Sequence, residues 1–507
     1  MMFLNSRAAI LAIALSSTVA SAKPVTAVLR LQERVAIETL AQNVKGAYSV
    51  RYARPYGPEE IRVISGPSDS AYNNLLATLR DQGFKIESES PTHLYISVSA
   101  DSKVFESVFS TKLQTLASGR RRHLMVAQIP DALGLVATVN GLDSTRKSYP
   151  KFVRAQAASS TPGGVPQATI KTNYGFDPIY ARGLSGAGQH IAIATYNGFN
   201  IGDVQQFYTM SNLNPMPTVD QVAFNGVAAY DENSSVETQL DAEFSGMIAP
   251  GASVHVFASA TNDDAGELQM FTAILDDNRA KVANYSWGGC ETQLSPSHKT
   301  EMQKVFARAV AQGVNIMVAS GDSGSDSCQD GTTKADWPAA NDNVVAVGGT
   351  SLNQKNGQFN ETAWNGSGGG ISAIWDLPSW QQNIGSPYVK RSYPDVAFNA
   401  DPRTGQAVYA HTNGVAGWIT IGGTSMAAPQ WSGFMALVAE ARERAGKGTL
   451  GYMPPIIYGM SSSDKASSFH DITSGSNGAY TAGPGWDAVT GLGSMNADAL
   501  LSNLVGN

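Results

Sequence analysis

Two cysteines, Cys290 and Cys328, are all that 507 residues contain, which excludes a disulfide-dense scaffold. They form either one bridge or two buried thiols, and export through an oxidising compartment favours the bridge. After the first 22 residues no stretch approaches the ~20 unbroken apolar residues of a membrane span. The basic half lacks the aromatic or helix-turn-helix pattern of a nucleic-acid binder, so no nucleic-acid partner is expected. None of the seven histidines is followed by glycine, the pairing that a histidine-based subtilisin-type enzyme would show.

What is present begins with Arg7, the apolar run "AAILAIAL" and the ending "SSTVASA", a secretory signal cut after Ala22. The mature chain is then expected outside the cell, or in the periplasm of a Gram-negative organism, with no membrane attachment. The segment "RAQAASSTPGGVPQ" (154–167) reads as a linker. Before it, "SAYNNLLATLRDQGF" predicts a helix, "HLYISVSA" a strand and "SKVFESVFSTKLQ" a second helix, together a small α+β domain. Beyond it, the short β-branched runs "HIAIATY", "SVHVFAS", "VANYSW", "VNIMVAS" and "NVVAVGG" alternate with helical periods such as "HKTEMQKVFARAVAQG" and "PQWSGFMALVAEARERAG". That alternation predicts an α/β fold, a parallel sheet with helices on both faces and its site beyond the carboxyl ends of the strands. Charge divides with the domains: residues 23–165 carry a net +6 and residues 166–507 a net −14. Such opposite signs fit complementary surfaces.

In "GGTSMAAP" (422–429), Ser425 stands between glycines and a helix, a place suited to a nucleophile that needs a base. In "SSVETQLDAEFSGMIAPGA" (234–252), Val236, Leu240, Phe244 and Met247 recur at helical spacing, with Ser234 or Ser235 as N-cap. Glu237 and Asp241 fall one turn apart on the neighbouring stripe. On an exposed helix two such carboxylates repel; held close, they share a proton. Asp322, in "VNIMVASGDSGS", closes a buried strand at the edge where active sites gather.

These motifs, in this order and without His-Gly, resemble the sedolisin family of serine-carboxyl peptidases. The segment "YARPYGPEEIRVISGPSDSAYNNLLATLRDQGF" resembles that family's pro-kumamolisin-like activation prosegment. The resemblance implies a subtilisin-like sheet preceded by a ferredoxin-like prodomain, with a signal over 1–22, a prosegment over 23–160 and a peptidase domain over 161–507. It implies Ser425 as nucleophile, Glu237 as base, Asp241 behind it, and Asp322 as a protonated oxyanion donor beside the Ser425 amide. "SWGG" (286–289) resembles the segment that pairs with substrate backbone. In the tail, "FHDITSG" and "AGPGWDAVTG" read alone as turns; the resemblance makes them one structural calcium site, held by Asp471 and Asp487 side chains and by the carbonyls of Ile472, Gly483 and Gly485.

The expected protein is a secreted, monomeric, acid-active endopeptidase. Its partners are peptide or protein substrates and its own prosegment, which acts as an intramolecular inhibitor. A glutamate base still accepts protons in acid, where a histidine with a pKa near ~6.5 is already charged. A tripeptidyl-peptidase of the same family and a catalytically silent calcium-stabilised module are the alternatives. Maturation is expected by self-cutting within 154–167, giving a chain that starts near Thr161 to Ala168.

Overall fold

A computed structural model describes residues 24–46, 54–154, 159–355, 358–382, 384 and 388–506. The expected signal, residues 1–22, lies outside them.

The described residues between 25 and 140 build the small domain. Its four-stranded antiparallel sheet has the order Lys85–Glu89, Tyr95–Ala100, Val25–Leu31, Val136–Asn140. Tyr72, Leu75, Leu76 and Leu79 of the helix Asp69–Asp81 and Phe105 of the helix Ser102–Val108 join its strands in one apolar core. Ser68 caps the first of these helices by accepting from the Ala71 amide. The helix read through "STKLQ" stops at Val108 instead, and Lys112–Thr115 pairs with Arg121–Met125 as a hairpin.

The large domain is a ten-stranded, mainly parallel sheet. Parallel neighbours run from Thr218–Gln221 through Ser253–Ala258, His190–Thr195, Val282–Tyr285, Asn315–Ala319 and Val345–Lys355 to Val396–Asn399. Alternate residues serve opposite faces. Ile191, Ile193, Val254 and Val256 pack with the helices Val236–Ile248 and Thr424–Arg444, whereas Ala192, Ala194, Phe257 and Ala283 pack with Asp264–Asp277 and Pro296–Ala311. Burial on both faces is why these strands are nearly unbroken apolar runs.

Gly433 sets the approach of the two site-bearing helices. A Cβ there would stand 2.7 Å from both the Ile248 Cβ and the Ser245 carbonyl. Only glycine lets Thr424–Arg444 lie this close to Val236–Ile248, and the amino-terminal ends of both helices then meet beyond the carboxyl ends of the strands.

Ion pairs of both polarities, most of them largely buried, join the small domain and the segment that follows it to the large domain. Arg30 meets Glu301 at 2.8 Å and Arg146 meets Asp264 and Glu267, while Lys304 of the large domain holds Glu33 and Glu38 of the small one. Burial opposes ionisation of Glu267, but Arg146 and His298 outweigh it and hold the carboxylate down at about 2. Acid alone therefore leaves this contact charged.

Candidate active site

Ser425 lies in the first turn of the helix Thr424–Arg444, after a backbone that turns sharply at Gly423 (φ 114°). Its Oγ donates to Glu237 Oε2 at 3.0 Å, with the Ser286 carbonyl at 3.3 Å as an alternative acceptor. The helix Val236–Ile248 is buried on every side, and Glu237 and Asp241 are wholly inaccessible. Ser235 occupies the expected N-cap position, yet its side chain accepts from the Asp231 amide instead of capping the helix.

Asp241 Oδ1 accepts from Ser286 Oγ at 2.6 Å, and Asn284 Nδ2 donates to that same hydroxyl at 3.0 Å. Glu237 Oε1 and Asp241 Oδ2 are left buried without a partner. Burial pushes both carboxyls well above their usual range, and for Glu237 the neighbouring Asp241 adds to the shift. Two carboxyls in a dry site hold one charge far more easily than two, so they titrate as a unit.

Asp322 Oδ1 accepts from the Thr424 amide at 2.7 Å and from the Thr424 hydroxyl at 2.9 Å. Its other oxygen, Oδ2, is sealed from solvent and unpartnered. Burial raises this carboxyl to about 7 in spite of the two Thr424 donors. The bridge Cys290–Cys328 ties the loop after Asp322 to the strand Trp287–Cys290.

A polypeptide already crosses this site. Tyr149 and Pro150 pair antiparallel with Gly288 and Trp287, and Val153 and Arg154 pair with Gly422 and Ile421. Between them, the Lys151 amide donates to the Ser286 carbonyl at 3.1 Å, and the Lys151 carbonyl accepts from the Ser425 amide at 2.9 Å. A Cβ on Gly423 would stand 2.5 Å from both that carbonyl oxygen and Asp322 Oδ2, and 2.7 Å from Phe152 Cα. Glycine is thus required twice over at 423, by its φ and by the strand passing across it.

The fold brings Glu237, Asp241, Asp322 and Ser425 together, and "SWGG" carries the backbone pairing read from it. Motif reading missed the Ser286 hydroxyl, the Thr424 donors, and Lys151 with its partner Asp336. Ser286 and Thr424 lay inside quoted motifs; Lys151 and Asp336 did not.

The residues expected to hold calcium lie apart from these, in the tail. Asp471 accepts from the Gly485 amide at 3.0 Å and Asp487 from the Gly483 amide at 3.2 Å, so both carboxylates converge on one short turn. Asp487 also accepts from the Val489 and Thr490 amides, each at 2.9 Å. Its burial raises its pKa. Ile472 packs its side chain against Ala363, Ala482 and Val489, which fixes the backbone beside Asp471. No cluster of three or more His, Cys, Asp or Glu suited to a metal occurs among the described residues, so a cation here would need backbone carbonyls to complete its shell. Two convergent carboxylates, one of them buried, on a glycine turn fit a hard cation.

Comparison with known proteins agrees with this geometry. The chain matches the subtilase family over residues 223–451 and the pro-kumamolisin activation domain over residues 15–145. It is 35% identical over 424 residues to kumamolisin of Bacillus sp. (strain MN-32), covering 76% of this chain and 73% of that protein. With sedolisin of Pseudomonas sp. (strain 101) it shares 29% identity over 518 residues, 94% of this chain and 86% of that one. Its fold is similar to that of Pseudomonas sedolisin, a serine-carboxyl proteinase solved with two molecules of pseudo-iodotyrostatin, at a TM-score of 0.59 and 31% identity over 68% of this chain and 98% of that structure. With a serine facing a buried glutamate where a histidine would otherwise stand, and an activation domain ahead of it, the chain belongs to the sedolisin family of serine-carboxyl peptidases.

Proposed function

We propose that the protein is an exported, acid-active endopeptidase made as a self-inhibited precursor, with Ser425 as nucleophile, the Glu237–Asp241 pair as its base and Asp322 as an oxyanion donor. One observation carries this reading: Ser425 Oγ bonds Glu237 while the chain's own Lys151 carbonyl accepts from the Ser425 amide. Attack moves the hydroxyl proton onto the pair, Asp241 steadied by Ser286 takes part of the charge, and the carbonyl oxygen turns anionic. The Ser425 amide already contacts that oxygen, and Asp322 Oδ2 and that oxygen each lie 2.5 Å from where a Cβ on Gly423 would stand, which supports the use of both groups as donors. The reading is tested by cleavage of a denatured protein in acid with Ser425→Ala as control; equal cleavage by the variant contradicts it.

The course of the bound strand favours internal cleavage. Upstream of Tyr149 the chain continues through Ser148 and Lys147 to Arg146, which is seated on Asp264 and Glu267. A tripeptidyl-peptidase must stop the substrate three residues before the cut. We expect matched peptides with blocked and free amino termini to be cut at rates within about threefold of each other. Cleavage confined to the free amine, three residues in, would establish the tripeptidyl alternative.

For the tail we propose one calcium ion, held by Asp471 and Asp487 with carbonyls of Ile472, Gly483 and Gly485; a bound cation would neutralise the buried Asp487. Calcium at about 100-fold above its Kd stabilises the native state by about 2.7 kcal/mol, so chelation should lower the melting temperature by about 5 °C. The Asp487→Asn variant should lose the difference. An unchanged melting temperature in metal-depleted wild type would remove these residues from the site. The signal pattern and the observed bridge both support passage through an oxidising compartment.

A further inference from the structure

Thr424 stands between Asp322 and Ser425 and is wholly buried. Its amide donates to Asp322 Oδ1 at 2.7 Å and its hydroxyl to the same oxygen at 2.9 Å, while the hydroxyl oxygen accepts from the Gly321 amide at 3.0 Å. An amide nitrogen can only donate, so Asp322 Oδ1 is an acceptor there whatever the charge of the carboxyl. Among the described residues the hydroxyl hydrogen has Asp322 Oδ1 as its one acceptor. Turning the hydroxyl round to accept a proton from Oδ1 would leave its own hydrogen unpaired in a sealed site. The methyl group fixes this rotamer, because Thr424 Cγ2 packs over Gly349, 3.5 Å from where a Cβ on that glycine would stand. On the far side of the carboxyl, Oδ2 is sealed and unpartnered, which leaves it as the oxygen free to carry a proton.

We propose that Thr424 is a positioning residue: its amide and hydroxyl pin Asp322 Oδ1 as the accepting oxygen, so that the proton offered to the oxyanion resides on Oδ2, and its hydroxyl sets the alkaline limit of activity. This rests on Ser425 being the nucleophile and Asp322 the oxyanion donor. The torsion about the Asp Cβ–Cγ bond is broad and nearly two-fold, so a half turn exchanges the protonated oxygen for the bare one. The bare oxygen would then face the developing anion and repel it. Two donors on Oδ1 remove that choice before substrate arrives. The same hydroxyl acts on the ionised form as well. A donor to a carboxylate favours its charge, so Thr424 lowers the pH at which Asp322 lets its proton go, against the burial that raises it. The threonine therefore narrows the working range on its alkaline side while it fixes the orientation. The other charged groups facing Asp322 are Glu237 on the helix Val236–Ile248, Asp336 beyond Gly321 and Lys151 on the crossing strand, and substitution of Thr424 leaves all three as they are in the wild type.

Thr424→Val keeps the shape and removes the hydroxyl, whereas Thr424→Ser keeps the hydroxyl and removes the methyl. Both are compared with wild type as acid-activated full-chain product, on one peptide, with kcat and KM measured across pH. In Thr424→Val, kcat at its optimum should fall about tenfold with KM within about twofold, as a misaimed donor predicts. Its alkaline limb should move up by about one unit, the size of one hydrogen bond to a charged group. Thr424→Ser should bring kcat back to within about threefold of wild type and return the limb to its place. In an Asp322→Asn background, where no proton has to be placed, Thr424→Val should leave the limb unmoved. A hydroxyl that only braced the loop would lower thermal stability and kcat without moving the limb. An unmoved limb or a kcat within twofold of wild type in Thr424→Val, or a serine variant no nearer wild type than valine, overturns the proposal. Where the valine variant does not fold, Thr424→Ala is read in its place against the same outcomes. If Asp322→Asn leaves the wild-type alkaline limb unchanged, the oxyanion reading beneath this inference has failed; if asparagine moves the limb and valine does not, this inference alone has failed.

Discussion

Glu237→Gln is expected to lower kcat by about 10³-fold or more with the fold unchanged, because the amide fills the same buried volume and cannot take the Ser425 proton. In the wild type, Ser425 Oγ has Glu237 Oε2 at 3.0 Å as its acceptor and no histidine among its partners. Stability should move the other way. Burial, then the Asp241 charge, raises the native pKa of Glu237. A group whose native pKa is raised contributes stability below its unfolded value of ~4.3 and loses it as pH rises toward the native value. The glutamine variant has no such loss, so it should melt above wild type at pH 7 and approach it near pH 4. Activity within tenfold of wild type would remove Glu237 as the base; a variant melting lower at pH 7 would show that its carboxyl is not buried at the cost described.

Asp322→Ala is the second large effect, an expected loss of about 10²- to 10³-fold in kcat, the usual consequence of deleting one oxyanion donor. The Ser425 amide still contacts the carbonyl oxygen, so the loss should be partial. Asp322→Asn differs in an informative way. Its Oδ1 can keep accepting from the Thr424 amide and hydroxyl, and its Nδ2 can donate where the protonated carboxyl did. Asparagine should therefore retain most of what alanine loses. Equal losses in both variants would mean that Asp322 holds the loop and gives nothing to the oxyanion.

The meeting of Glu237, Asp241, Asp322 and Ser425 was legible because each sits in a short motif with one local geometry. Glu237 and Asp241 are one helical turn apart, Asp322 ends a strand, and Ser425 opens a helix. Their spacing within elements is a property of sequence. The strands were readable for a related reason, since double burial leaves apolar runs such as Ile316 to Ala319. What was not legible depends on register between distant segments. Lys151 looks like any charged residue in a linker until the sheet places Tyr149 against Gly288 and brings its ammonium to Asp336. Ser286 was read only as backbone, though its hydroxyl is the one that reaches Asp241. The "STKLQ" error was local: its apolar spacing suits a helix or a strand, and pairing with Arg121–Met125 decides it.

The measurement that most directly tests catalysis by a serine and carboxyls alone is kcat/KM against pH for the acid-activated wild type and Asp322→Asn, on one peptide. Activity should fall on the acid side once the Glu237–Asp241 pair takes a second proton, and fall again above about 7, where Asp322, raised by burial, gives up the proton it donates. In Asp322→Asn the acid limb should stay and the alkaline limb should move up by more than one unit. A wild-type profile that rises through pH 7 and holds at pH 9, or an alkaline limb that the asparagine leaves in place, would contradict it.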